Sequence, residues 1–206
     1  MRTSAILLAC TLLAACGDKP LVSEHRPSPA TWRAIATTAD RDRLRRWRSG
    51  WVEALAQVNA ADRSGDLTAE GDLFVPDHAL PDPLPPAGDY RCRVFKLGSK
   101  APATPAFTAY PAFDCRIDGE GDSRRLATRG GQQRPSGRIL PDDSARAVFL
   151  GTLMLGDETV SLRYGFDGAR DMAGLVERID ERRWRLTLPY PAFESVLDVI
   201  ELVPAG

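Results

Sequence analysis

Few residues in this chain of 206 are placed to do covalent or acid–base chemistry. Past the first twenty positions the thiols are Cys92 and Cys115, each on the apolar side of an alternating run. Tyr90, Cys92 and Val94 alternate with Arg91 and Arg93; Phe113, Cys115 and Ile117 alternate with Asp114 and Arg116. Adjacent strands sharing an inner face would bring the two sulfurs together, so a Cys92–Cys115 disulfide is expected. A redox or metal pair is disfavoured, because there is no Cys-x-x-Cys spacing and no histidine beside either thiol. The two histidines, His25 and His78, stand apart in polar and proline-rich stretches. They supply neither the three or four ligands of a zinc site nor the base of a catalytic triad. Glu53, Glu158, Glu177 and Asp198 remain as carboxylates in name. Only Asp198, flanked by Val196, Leu197, Val199 and Ile200, has apolar neighbours of the kind that raise a carboxyl pKa. No catalytic residue, metal or cofactor is assigned.

Two further patterns could recognise a ligand. Arg41, Arg43, Arg45, Arg46 and Arg48 crowd little more than two helical turns. They could meet anionic headgroups, with Arg41, Arg45, Arg46 and Arg48 as the patch; the plainer reading is a solvated face partly neutralised by Asp40, Asp42 and Glu53. The second pattern is an echo, Tyr110-Pro111-Ala112-Phe113-Asp114 returning as Tyr190-Pro191-Ala192-Phe193-Glu194. A Tyr-Pro step makes a stiff extended corner. Two such corners at one end of a barrel would form an aromatic rim of Tyr110, Phe113, Tyr190 and Phe193; otherwise they are two similar strand entries that never meet.

The N-terminus carries its own chemistry. Arg2 and the mostly apolar Ala5 to Ala15 read as a signal peptide over 1–15, since that run falls short of the roughly 20 residues a spanning helix needs. It ends in Leu13-Ala14-Ala15-Cys16, which resembles the lipobox of bacterial lipoproteins. Small residues suit the peptidase pocket, and the thiol accepts a diacylglycerol before cleavage. The expectation is a chain cut before Cys16 and anchored by lipid on it, each buried methylene adding about 0.8 kcal/mol of membrane affinity. Cys10 leaves with the leader, and the oxidising periplasm lets the remaining pair persist as a disulfide. Gly17, not Asp, follows Cys16; by the sorting habit of Gram-negative lipoproteins this favours the outer over the inner membrane. A net charge of −1 excludes any argument for a nucleic-acid partner from charge.

These residues need elements to position them. Residues 16–31, with Pro20, Pro27 and Pro29, read as a lipidated start and tether that reaches at most about 50 Å. Residues 32–206 read as one domain. In its helical part, 32–75, Leu44, Trp47, Trp51, Leu55 and Val58 recur at helical spacing, giving one amphipathic helix capped by Thr38 and stopped near Ser64-Gly65. Leu67 to Leu73 could add another helical turn or two. The crossing, 76–88, holds five prolines and must be extended. From 89 to 206, alternation is clear at Tyr90–Val94, Phe113–Ile117, Val160–Tyr164 and Trp184–Leu188. Ala147 to Leu155 and Val196 to Val203 are continuously apolar, and Arg124 to Ala127, Gly137 to Leu140 and Ala173 to Ile179 are weaker candidates. The fold class is therefore α+β, mainly β: an antiparallel meander of about eight or nine strands, as an up-and-down barrel with the helix outside or capping one end, or as a two-sheet sandwich.

Several ordered blocks carry a resemblance: Asp40-Arg41-Asp42-Arg43-Leu44 with Trp47, Gly88-Asp89-Tyr90-Arg91-Cys92-Arg93, Tyr110-Pro111-Ala112-Phe113, Gln133-Arg134-Pro135, Val148-Phe149-Leu150-Gly151, Asp171-Met172-Ala173-Gly174 and Pro189-Tyr190-Pro191. Together, from about Trp32 to Val203, they resemble an uncharacterised family of Gram-negative envelope lipoproteins catalogued as a domain of unknown function. The resemblance implies a single unit and no reaction. The residues lean away from an enzyme, toward a membrane-anchored envelope module that binds an unidentified envelope protein or ligand. The alternatives are a periplasmic hydrolase using carboxylates and an enzyme inhibitor on a small β scaffold.

Overall fold

From Asp89 onward every alternating run needs a hydrogen-bonded neighbour on each edge, and the chain supplies them by winding once around a closed barrel. The computed structural model describes residues 31–130 and 133–206; the leader, Cys16, the tether and His25 lie outside the described residues. The strands are β1 (Gly88–Leu97), β2 (Phe107–Ala109), β3 (Phe113–Asp118), β4 (Arg124–Arg129), β5 (Gln133–Pro141), β6 (Ala147–Leu155), β7 (Asp171–Asp180), β8 (Arg183–Pro189) and β9 (Leu197–Pro204). From β3 to β9 each pairs antiparallel with the next, and β9 returns to pair with β1 from Tyr90 to Leu97. Short β2 and β3 share one edge of β1, β2 along Phe95–Leu97 and β3 along Gly88–Cys92. The result is an eight-stranded barrel with β2 as an extension, and the closing β1–β9 ladder excludes the sandwich.

One phase of each strand points inward. Tyr90, Ile117, Leu126, Ile139, Phe149, Trp184, Leu186 and Leu202 fill the barrel from the end where the proline-rich crossing enters. The Cys92–Cys115 disulfide lies among them, joining diagonal neighbours of the β1–β3 pair whose Cα atoms are 5.9 Å apart. Gly137 and Gly151 are direct partners across β5 and β6; a Cβ on Gly151 would fall 2.5 Å from Cζ of Phe149. Glycine at this pair is what lets the Phe149 ring occupy the interior.

The outer wall is covered as well. α1 (Trp32–Ile35) and α2 (Thr38–Arg45) bring Ala36 and Leu44 against Leu140, Val148, Leu150, Ala173 and Leu175. α3 (Trp47–Ala60) lays Trp51, Ala54 and Val58 on Phe95, Leu97, Leu197 and Val199. The single helix read from periodicity is thus two, broken at Arg46 (φ −95°, ψ 14°), because its apolar stripe serves two separate patches of a curved wall. The cap is Thr37, not Thr38, its side chain accepting from the Asp40 amide. Ser64-Gly65 opens a further turn, α4 (Ser64–Thr68), followed by a 3-10 turn at Gly71–Phe74.

One strand expectation needs correction. Val160–Tyr164 is not a strand but part of an irregular loop with Val160 78% exposed. β6 pairs directly with β7 from Ala147 through Thr152, so no ladder edge is free there for an inserted strand. In β8 the polar phase is buried as well at Arg185 and Thr187. Arg185 is fully buried beneath the 3-10 turn and the crossing, opposite Glu177 in the β7–β8 register. Its Nε donates to Glu177 at 2.7 Å, and its remaining N–H groups reach the carbonyls of Leu73 (3.0 Å), Val75 (2.8 Å), Pro76 (3.0 Å) and His78 (3.2 Å). Prolines cannot donate to a ladder, so much of the crossing is held by its carbonyls, while the Leu80 and Asp82 amides still donate to the carbonyls of Arg178 (2.8 Å) and Ser144 (3.1 Å).

Candidate functional site

At the far end of the barrel the connections are longer, and the interior is not closed by apolar side chains. β1 continues its inward phase from Cys92 and Val94 to Lys96, which stands opposite Asp198 in the β1–β9 register. Buried Lys96 Nζ lies 3.0 Å from Glu194 Oε2 and 3.6 Å from Asp198 Oδ2, and donates to Gln133 Oε1 at 3.1 Å. Ser195, also buried, donates its hydroxyl to Asp198 Oδ1.

The β8–β9 connection places these acids by bending hard. Tyr190 (φ 49°) and Glu194 (φ 61°) both occupy the left-handed region, which costs an L-residue roughly 1–2 kcal/mol each. The bend is tied down by backbone bonds from Tyr190 to Val196 (2.8 Å) and from Lys100 to Glu194 (2.8 Å), and by the Lys100 ammonium on the Pro191 carbonyl. Burial works against the Lys96 charge, but Asp198 and Glu194 outweigh it and hold its pKa above the usual lysine value. Burial likewise pushes the Asp198 carboxyl above the usual range, against the lowering by Lys96 and Ser195. Asp171 at the same mouth is raised too, chiefly by burial.

Two spaces meet at Lys96 and Gln133. Inside the mouth is a narrow cleft of about 40 Å³ bounded by Leu153, Met172, Leu188, Ile200 and Phe193. Outside is a bay of about 460 Å³ walled by Tyr110, Pro111, Ala112 and Phe113. The two copies of the sequence echo therefore lie at one end of the barrel: Tyr110 (41% exposed) and Phe113 on one side of Lys96, Phe193 (42% exposed) on the other. Tyr190 departs from the rim. Its backbone turn sends the ring against α3, where Arg46 lies 4.6 Å from the ring centroid and the hydroxyl donates to Glu53 at 3.3 Å.

The other residues singled out from sequence lie elsewhere. Arg41 donates to the Ala36 carbonyl (2.7 Å), Arg45 pairs with Asp42, Arg48 pairs with Asp77 and Arg46 stacks on Tyr190, so the helix arginines already have partners. Glu177 is spent on Arg185 and Arg146, and Glu158 accepts from the Leu155 amide and pairs with Arg170, which holds its pKa down. His78 Nε2 sits 2.9 Å from the Ile179 carbonyl. Among the described residues no three His, Cys, Asp or Glu side chains converge as a metal site.

Lys96 and Gln133 were not singled out from sequence, although the parity of β1 carries the signal. Positions 90, 92 and 94 are apolar, and 96 continues their inward phase with an ammonium. Gln133 has no such signal, and Glu194 is visible only as the acid ending the second echo.

The model of a family described as a domain of unknown function (DUF4893) matches residues 32–202. Comparison with curated proteins and with solved structures finds no match to either.

Proposed function

Since the chain belongs to the family of the domain of unknown function DUF4893, which brings no reaction with it, we propose from the geometry that it is a non-catalytic binding module of the bacterial envelope. In this reading it is held by lipid on Cys16, faces the periplasm, and favours the outer membrane. The ligand is small and mostly apolar, or an exposed group of an envelope partner. Its flat face lies on Tyr110, Phe113 and Phe193, and its polar end meets Lys96 and Gln133. The observation that carries this reading is the convergence of Tyr110 and Phe113 from one copy of the echo and Phe193 from the other around one buried ammonium at a barrel mouth with apolar walls. The hydrolase reading has less to stand on. Two carboxylates, Asp171 and Asp198, line the mouth cleft, but Asp198 is committed to Lys96 and Ser195 and Asp171 accepts from the Gly165 amide at 2.8 Å, so each already has a partner within the protein.

A photoreactive phenylalanine analogue at Tyr110 tests the mouth in living cells. Irradiation should yield an adduct that the same analogue at Val75, exposed and outside the lining of cleft and bay, does not give, and Phe193→Ala should cut the yield severalfold. Equal capture at both positions, or a yield indifferent to Phe193→Ala, would reject the site. The anchor has its own measurement. Intact mass of protein extracted from its native host should begin at Cys16 and carry added acyl mass; a processed chain without that mass removes the membrane from the proposal.

A further inference from the structure

Arginines in this protein are mostly matched to a carboxylate, a carbonyl or a ring. Among the described residues Arg125, Arg138 and Arg163 make no side-chain hydrogen bond or ion pair, yet all three line one pocket on the outer barrel wall. Arg125 of β4 and Arg138 of β5 are direct cross-strand partners, an arrangement in which like charges repel. No acidic residue lines the pocket to offset them.

A second observation points to the same place. Thr152 is 3% exposed, its hydroxyl has no hydrogen-bond partner, and it forms part of the same lining. A buried hydroxyl without a partner costs about 1–3 kcal/mol unless something meets it. The pocket, about 470 Å³, lies between the wall and the loop carrying Arg163 and shares no residue with the mouth; Leu140, Leu150 and Tyr164 give it apolar sides.

We propose that this pocket binds the phosphate of an anionic amphiphile. The guanidinium forks of Arg125, Arg138 and Arg163 would take the phosphate oxygens, as their planar paired donors suit. The Thr152 hydroxyl would donate to the same group, and the apolar sides would receive the first carbons of its body. Ile35, which also lines the pocket, belongs to the first described helix, so the site sits where the chain arrives from its N-terminal segment.

Calorimetric titration of the full chain with dihexanoylphosphatidic acid, kept below its micelle concentration, and separately with inorganic phosphate separates a lipid headgroup from a free ion. Expected are saturable one-to-one binding of the lipid, inorganic phosphate at least about tenfold weaker, and loss of about tenfold for both in Arg138→Glu. Thr152→Val should weaken both and Thr152→Ser should not, while Arg182→Glu, an exposed charge outside the pocket, should leave both unchanged. Absence of saturable binding, or an equal loss in Arg182→Glu, overturns the site. Inorganic phosphate binding as tightly as the lipid overturns the amphiphile.

Discussion

Replacing Arg185 by methionine is expected to lower the unfolding free energy by about 3–5 kcal/mol, the range for breaking a buried ion pair by removing one partner. Methionine fills similar space, so the loss is one of pairing rather than packing. Glu177, 1% exposed, would keep only Arg146 at 2.8 Å, and the carbonyls of Leu73, Val75, Pro76 and His78 would lose their common donor. Burial pulls the Arg185 pKa down while Glu177 pulls it up, so the guanidinium is retained against its desolvation by what it holds. Lysine is not a conservative replacement: a single ammonium cannot span Glu177 and the strand of carbonyls, so Arg185→Lys should recover little. Adding Glu177→Gln to Arg185→Met should return part of the loss by discharging the stranded acid. Urea unfolding, read as a shift in midpoint at constant slope, measures all three variants. A fall of less than about 1 kcal/mol in Arg185→Met would mean that the crossing is held by other contacts.

The second large effect concerns the disulfide. Cys92 and Cys115, 23 residues apart, close a loop that includes β2 and the Tyr110–Ala112 corner. Constraining a loop of that length in the unfolded chain contributes about 3 kcal/mol. The double replacement Cys92→Ala with Cys115→Ala should lower stability by about that amount. Its local consequence should appear at the mouth. Between Cys92↔Phe113 and Phe95↔Ala109 the β1 edge is short of regular pairing, and the corner is held by one backbone bond, from the Tyr110 amide to the Val94 carbonyl at 2.9 Å, and by the Arg91 side chain on the Ala112 carbonyl at 3.2 Å. Amide exchange at Tyr110 and Phe113 should therefore quicken more than exchange in β6, which is paired on both sides from Ala147 to Thr152. A stability change within about 1 kcal/mol, or uniform quickening, would show that the bridge does not brace the rim.

The candidate site was only partly legible before folding. Asp198 stood out because its apolar neighbours forecast desolvation, and the structure raises its pKa for that reason. The echo flagged the corners and left their meeting open, since two strand entries coincide only if the strands between them bring the chain back to the same barrel end. Lys96 was hidden by chemistry rather than by position. A lysine at the end of an alternating run reads as a solvent-side residue until the closing strand places Asp198 opposite it. The unpartnered arginines were invisible for a related reason: which of many arginines lack a partner is a property of the surface around them.

Periodicity and turn residues alone determined that the chain after Asp89 is a meander, that Cys92 and Cys115 share an inner face, and that a proline-rich stretch divides helices from strands. Those are local properties, set by side-chain alternation and by backbone groups that proline removes. Tertiary structure decided what local patterns cannot carry. Ladder closure excluded the sandwich, and the curved wall split one helical stripe into two helices. The polar face of β8 became an interior by being roofed over, and Val160–Tyr164 became a loop because its would-be neighbours were already paired. In each case the deciding quantity was the set of partners left after distant segments had packed, and burial and pairing are relations between segments rather than attributes of any one of them.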